Sequence, residues 1–266
     1  MRHSLALILL LTLTACGLFS SPQDGKSATD STPAKEIYAE AMEQMDDGYY
    51  EKAVKTFETL QSRYPYGRYA QQAQLEIAYA YYKQKEPESA IAAADRFIKQ
   101  YPNNQHVDYA YYLKGLINFN EDLGLLGGVV KQDLSERDPN AARDAFGAFK
   151  ELVTRFPDSK YAPDSRLRMQ YLINALASYE IHVANYYLRR GAYVAAANRA
   201  KGVLTDYPQT PAMLDALQIM VQAYDAMGMK DLRDDAQRVL DMNAAKGGTT
   251  AKLSPQNEKS WWKFWE

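Results

Sequence analysis

Cysteine is almost absent from this chain: its 266 residues include one, Cys16. A single thiol closes no internal disulfide, so no disulfide framework staples the fold. Histidine is nearly as scarce. His3, His106 and His182 lie far apart, without the close-spaced partners of a helical metal site. Positive charge is not in excess, since 31 Lys and Arg stand against 33 Asp and Glu for a net −2. That balance argues against nucleic acid as a partner, because neutralising phosphates needs a basic patch. Beyond the N-terminus no apolar run approaches the roughly 18 residues of a transmembrane helix. Strand-like alternation is missing from residue 34 onward. No G-x-S-x-G is present, and Gly127-Gly128 lacks the lysine and hydroxyl of a phosphate loop. The carboxylates are numerous but read as solvated helix faces. No catalytic, metal or cofactor site is legible, and the chain is expected not to be an enzyme.

What is present begins at the N-terminus. Arg2 supplies a positive start, and Leu5 to Leu13 forms a nine-residue apolar segment. It is too short to span a bilayer and suits a signal-peptide core. The run Leu13-Thr14-Ala15-Cys16 resembles the lipobox of bacterial lipoproteins. That resemblance implies that residues 1–15 are a lipoprotein signal peptide removed before Cys16. Cys16 then carries diacylglycerol on its thiol and an acyl chain on its new amine, with no other cofactor. The alternative is an ordinary secretory signal followed by a free or buried thiol. Three acyl chains exceed the two signals needed for stable anchoring. Gly17 stands where an aspartate retains lipoproteins at the inner membrane in enteric-type bacteria. The expected location is therefore the periplasmic face of the outer membrane. Residues 16–33, rich in Ser, Thr, Gly and Pro, read as a lipidated flexible tether.

From residue 34 the pattern is helical and repeats itself. Four predicted helices end in aromatic–proline pairs: Tyr64-Pro65, Tyr101-Pro102, Phe156-Pro157 and Tyr207-Pro208. Proline cannot continue a helix, so each pair closes one. Twelve residues before each proline stand Ala53, Ala90, Ala145 and Ala196. Eight before stand Phe57, Ala94, Phe149 and Ala200, and five before stand Leu60, Phe97, Leu152 and Val203. Small residues at the first position admit close helix approach, and larger ones fill the stack. Gly48 and Gly191 lie seventeen residues before their prolines, at the predicted turn between paired helices. This pattern resembles the tetratricopeptide repeat, a helix–turn–helix unit of about 34 residues. Four units match. A fifth, residues 209–243, keeps Tyr224 and Gly228 but lacks a closing proline, as expected of a solenoid cap. The fold class is thus all-α, a tetratricopeptide-repeat solenoid of about five helix-turn-helix units. Repeats 1–3 occupy 34–158 and repeats 4–5 occupy 159–243.

The proline spacings of 37, 55 and 51 call for insertions. One is residues 122–138, where Leu123, Leu125, Leu126, Val129 and Val130 sit among glycines. These side chains either tuck onto neighbouring helices or form an exposed docking loop. The other makes the first helix of repeat four long, over 163–190, joining the two blocks of repeats. Residues 244–266 read as a flexible tail with an aromatic terminus. Trp261, Trp262, Phe264 and Trp265 cluster there, and Trp261, Phe264 and Trp265 would share one face of a helical turn. Three readings stay open: an interfacial membrane anchor, a plug for a partner's groove, or a tail folded back on its own solenoid. Tyrosine is abundant, with 21 copies. A concave tyrosine-lined groove could hold an extended segment, with Tyr79, Tyr82, Tyr109 and Tyr112 as candidates.

The segments KEIYAEA (35–41), RYPYGRYAQQAQLEIAYAYYK (63–83), DRFIKQYP (95–102), DYAYYLKGL (108–116), RDPNAARDAF (137–146) and RRGAYVAAANRAKGVLTDYP (189–208) resemble the BamD (ComL) family. These are the tetratricopeptide lipoproteins of the β-barrel assembly machinery. The resemblance covers residues 34–242 and the lipobox, but not the tryptophan-rich tail. It implies a non-enzymatic scaffold that docks the POTRA domains of BamA, holds a BamC-type accessory lipoprotein, and helps receive unfolded outer-membrane proteins. It implies that the C-terminal repeats dock BamA, with Tyr193, Asn198 and Arg199 in the matching segment and Arg199 as a charged anchor for a carboxylate. Read without the family, the alternative for Arg199 is an ordinary exposed helix arginine. The alternative function is another envelope repeat lipoprotein that coordinates or binds peptidoglycan.

Overall fold

The computed structural model describes residues 32–121 and 139–245. The signal segment, Cys16, the insertion at 122–138 and the aromatic run Trp261, Trp262, Phe264 and Trp265 lie outside the described residues. Within them the chain forms ten α-helices and no strand. They are α1 (Ala34–Asp46), α2 (Tyr50–Arg63), α3 (Arg68–Gln84), α4 (Pro87–Gln100) and α5 (Val107–Glu121), then α6 (Pro139–Arg155), α7 (Ala162–Arg189), α8 (Tyr193–Asp206), α9 (Ala212–Ala226) and α10 (Lys230–Ala245).

Each helix packs on the next along the chain, which pairs them as α1α2, α3α4, α5α6, α7α8 and α9α10. First helices of successive pairs also touch: α1 with α3, α3 with α5, and α7 with α9. Elements on the inside of a curved stack approach one another most closely, so the first helices line the inner side. The architecture is a tetratricopeptide-type solenoid.

The repeated register explains the core. All twelve residues at the three shared positions, from Ala53 to Val203, are 0–1% exposed. The alanines let the paired helices meet, and Phe57, Phe97 and Phe149 fill the space between them. Each such phenylalanine contributes on the order of 1.5–3 kcal/mol by leaving water. The aromatic residue before each proline ends its helix in the same way. The amides of Tyr64, Tyr101, Phe156 and Tyr207 donate to the carbonyls of Leu60, Phe97, Leu152 and Val203 at 2.8–2.9 Å.

The turns inside four of the pairs are also alike. Gly48, Gly191 and Gly228 adopt φ of 79°, 72° and 72°. The residue after each donates back to Gln44, Tyr187 and Tyr224 O respectively, the long bond of a Schellman cap. In the second pair the same position is Lys85, with φ 62°, and Glu86 N donates to Tyr81 O. A glycine signal therefore missed one turn of identical geometry.

Helix α7 has 28 residues, about 42 Å at 1.5 Å per residue. Its N-terminal half, through Leu172 and Leu176, belongs to the apolar cluster that begins at Ile37. Its C-terminal half, through Ala177, Ile181 and Ala184, belongs to a second cluster with α8 and α9. Tyr207 packs against both.

Candidate functional site

Two surfaces carry the residues singled out above. The first is the inner seam of the first helices. Tyr38 on α1 packs at 5.5 Å from Tyr69 and 5.6 Å from Phe57. Its hydroxyl bonds Glu76 on α3. Glu76 is half-buried. Burial raises its pKa from 4.5 to about 7, and the nearby Asp46 carboxylate adds to the rise. Tyr79, one turn along α3, is pushed up to about 12, chiefly by burial. Tyr79 and Tyr82 lie 6.1 Å apart and keep part of their rings exposed.

Tyr109 and Tyr112 depart from the expected groove lining. Both are only 8% exposed. Tyr112 stacks on Tyr161 at 4.7 Å, and its hydroxyl donates to Asp164 Oδ2 at 2.8 Å. Arg168 Nε donates to the same oxygen at 2.6 Å and lies over the Phe119 ring at 4.9 Å. Tyr109 packs at 5.5 Å from Tyr161. These two tyrosines seal α5 against α7 instead of facing a groove. Successive positions of α5 point about 100° apart, and this helix is wrapped by neighbours on several sides. Tyr79 and Tyr82 alone of the four retain open surface.

The second surface is the hairpin between α7 and α8. Tyr186, Arg190, Val194 and Asn198 are exposed, and Tyr193 is half-buried. The Arg190 guanidinium lies 5.3 Å from the Tyr186 ring. Val194 and Asn198 stand one turn apart on α8. Arg199, 47% exposed, is held by Glu180 of α7: Nη1 donates to Oε2 at 2.8 Å. That bond is the leading cause of the raised Arg199 pKa. Arg143 of α6 approaches the same carboxylate at 3.8 Å. The expected charged anchor thus already has a carboxylate within the chain. Glu180 and Arg143 were missed in the sequence. Glu180 lies nineteen residues before Arg199, and only the fold of the hairpin brings them together. Exposed Tyr, Arg and a central apolar side chain are the residue types that dominate protein interfaces.

The depressions around Lys55, Glu58 and Arg63, and around Gly48, Tyr50 and Gln84, are open surface. Among the described residues no cluster of His, Cys, Asp or Glu is arranged to hold a metal.

Comparison with known proteins gives a consistent result. The profile of the YfiO family, described as "Outer membrane lipoprotein", matches residues 30–239. An outer membrane protein assembly factor BamD from Neisseria meningitidis serogroup A is 42% identical over 255 residues, 96% of each chain. The BamD of Xylella fastidiosa Temecula1 is 41% identical over 242 residues, 91% of this chain and 82% of its own. That of Vibrio cholerae is 35% identical over 231 residues, covering 87% and 96%. Among solved structures, the MamA protein covers 84% of this chain at 16% identity with a TM-score of 0.37, a likeness too slight to argue from.

Proposed function

This chain belongs to the YfiO family of outer membrane lipoproteins, whose curated relatives are BamD outer membrane protein assembly factors, and on that footing we propose that it is a non-enzymatic scaffold of barrel assembly. In this reading the α7–α8 hairpin docks the POTRA domains of BamA. A carboxylate of BamA meets the Arg199 side chain, with Asn198 and the Tyr193 ring beside it. The N-terminal repeats face a BamC-type accessory lipoprotein and unfolded outer-membrane proteins, which meet the open surface of Tyr79 and Tyr82.

The observation that carries the reading is the hairpin patch itself. It places Tyr186, Arg190 and Val194 in solvent beside a cluster of two arginines sharing one carboxylate. Two guanidiniums against one carboxyl leave a positive surplus for a second carboxylate to meet. A planar, permanently charged fork suits such a contact.

No helix among the described residues is long and apolar enough to cross a membrane. Contact with the outer membrane is assigned to acyl chains on Cys16, with the repeats on its periplasmic face. Intact mass of the membrane-extracted protein checks that assignment, and an unmodified Cys16 overturns it.

The scaffold reading is tested by pull-down of the mature protein against two baits, isolated POTRA domains and peptidoglycan sacculi. Retention on the POTRA domains is expected. Retention on sacculi alone would replace the reading with that of a wall-binding repeat lipoprotein.

A further inference from the structure

The outermost helix carries an apolar strip that its counterparts lack. In α10 only Ala236 is buried, while Leu232, Val239 and Met242 are 47%, 36% and 50% exposed. These three fall within about 80° of one another around the helix. Met229, also exposed, precedes them in the turn. The strip is not an unfilled stacking face. Counted from the left-handed turn residue, Leu232, Val239 and Met242 stand four, eleven and fourteen positions on. The same places hold Lys52, Thr59 and Ser62 in α2, Ser89, Arg96 and Lys99 in α4, and Ala195, Gly202 and Thr205 in α8. No large apolar side chain occupies them elsewhere, so this outer face is greasy in the last repeat alone of these four. Clustered exposed apolar side chains on a soluble surface mark a contact.

We propose that the aromatic segment Trp261–Trp265 of the same chain docks on this strip and shields it. The chain between them sets the geometry. Residues 246–260 form a fifteen-residue connection with Gly247, Gly248 and Pro255, and a coil of that length spans about 20–23 Å on average. Helix α10, with 16 residues, is about 24 Å long. The segment therefore reaches any part of the strip at an effective concentration of about millimolar, without needing a partner. The chemistry matches as well. Methionine sulfur against aromatic rings is a favourable contact that tolerates imperfect fit. Asp235 lies within the strip, paired with Arg238 at 2.9 Å, and Lys263 lies within the aromatic run. The segment and Met242 both fall outside the span matched by the family profile, which ends at residue 239. The contact is separate from the scaffold role proposed above.

All three tryptophans of the protein, Trp261, Trp262 and Trp265, lie in the segment, so intrinsic tryptophan emission reports on it alone. The full mature chain with Cys16→Ser, in detergent-free buffer, is expected to emit at shorter wavelength than a free tryptophan analogue. It is also expected to resist acrylamide quenching, independently of protein concentration. The double variant Leu232→Asp/Val239→Asp should shift emission to the solvent-exposed position and remove the protection. Circular dichroism checks that its helices persist. A disulfide pair, Met242→Cys with Trp262→Cys, should close within a single chain, while Lys52→Cys with Trp262→Cys should not. Emission already at the solvent-exposed position overturns the proposal, as does protection that survives the double variant. So does protection that grows with protein concentration, which points to a second copy, or that arises only with phospholipid vesicles, which points to the bilayer.

Discussion

Arg199 and Glu180 face each other across the α7–α8 hairpin with Nη1 and Oε2 2.8 Å apart, and Arg143 shares the carboxylate from 3.8 Å. The Arg199 side chain is half in solvent while that of Glu180 is largely covered, and an ion pair open to water on one side contributes little to stability, about 0.2–1 kcal/mol. Its consequence is for docking. Glu180 neutralises part of the charge that a partner carboxylate would seek. Glu180→Gln is therefore expected to tighten POTRA binding about two- to five-fold, equivalent to roughly 0.5–1 kcal/mol. Titration calorimetry against the isolated domains reads the change. A weaker complex would mean that Glu180 orients Arg199 for its partner instead of competing for it.

The left-handed turn residues give a stability prediction. Lys85 occupies at φ 62° the place that Gly48, Gly191 and Gly228 hold in the other pairs. A side chain there crowds the following carbonyl, at a cost of about 1 kcal/mol. Lys85→Gly is expected to stabilise the protein by about 0.5–1 kcal/mol, and Gly191→Ala to destabilise it by a similar amount. A Cβ on Gly191 would meet nothing closer than Tyr193 Oη at 4.0 Å, so the second cost is one of backbone alone. Urea unfolding of the two variants checks the opposite signs.

Gly115 offers a steric counterpart. It lies on α5, where an added Cβ would overlap the Phe149 ring of α6. Phe149 is fully buried and cannot swing into solvent. Gly115→Ala is expected to cost about 1–3 kcal/mol by forcing the two helices apart. The midpoint of thermal unfolding should fall by several degrees, and an unchanged midpoint would show that this helix pair yields freely.

Glu76 makes stability depend on pH. Its folded-state pKa of about 7 lies above the ordinary 4.5. Between those values the folded protein holds a proton that the unfolded chain has released. Stability therefore falls as pH rises through that window and levels off above it. The groups facing Glu76 are Tyr38, Asp46, Tyr79 and Tyr109, and the three tyrosines stay neutral throughout. Glu76→Gln should remove the dependence. It is expected to gain on the order of 1–3 kcal/mol at pH 8 and little at pH 5. Denaturant melts of both proteins at the two pH values test the sign.

The solenoid was legible because its signals are local and repeated. Aromatic–proline pairs stop helices, and the alanine, aromatic and aliphatic positions counted back from them are the buried ones. Where a signal depended on residue type at a turn, Lys85 escaped notice, since its neighbours along the stack impose a conformation its own preference resists. The tyrosines were harder to place. Tyr79 and Tyr109 look alike in the chain, but α3 leaves one partly open while α5 is enclosed by α6 and the start of α7. The Glu180 contact needed the folded hairpin, because nothing local distinguishes that carboxylate from its solvated neighbours.

The docking claim is tested most directly by titrating the isolated BamA POTRA domains from the same organism against the mature protein and its Arg199→Glu variant, with circular dichroism confirming that both are helical. The scaffold account predicts saturable binding by the native chain and a loss of at least about tenfold in the variant, or roughly 1.4 kcal/mol. Equal affinity of the two proteins, or no binding by the native one, would contradict it.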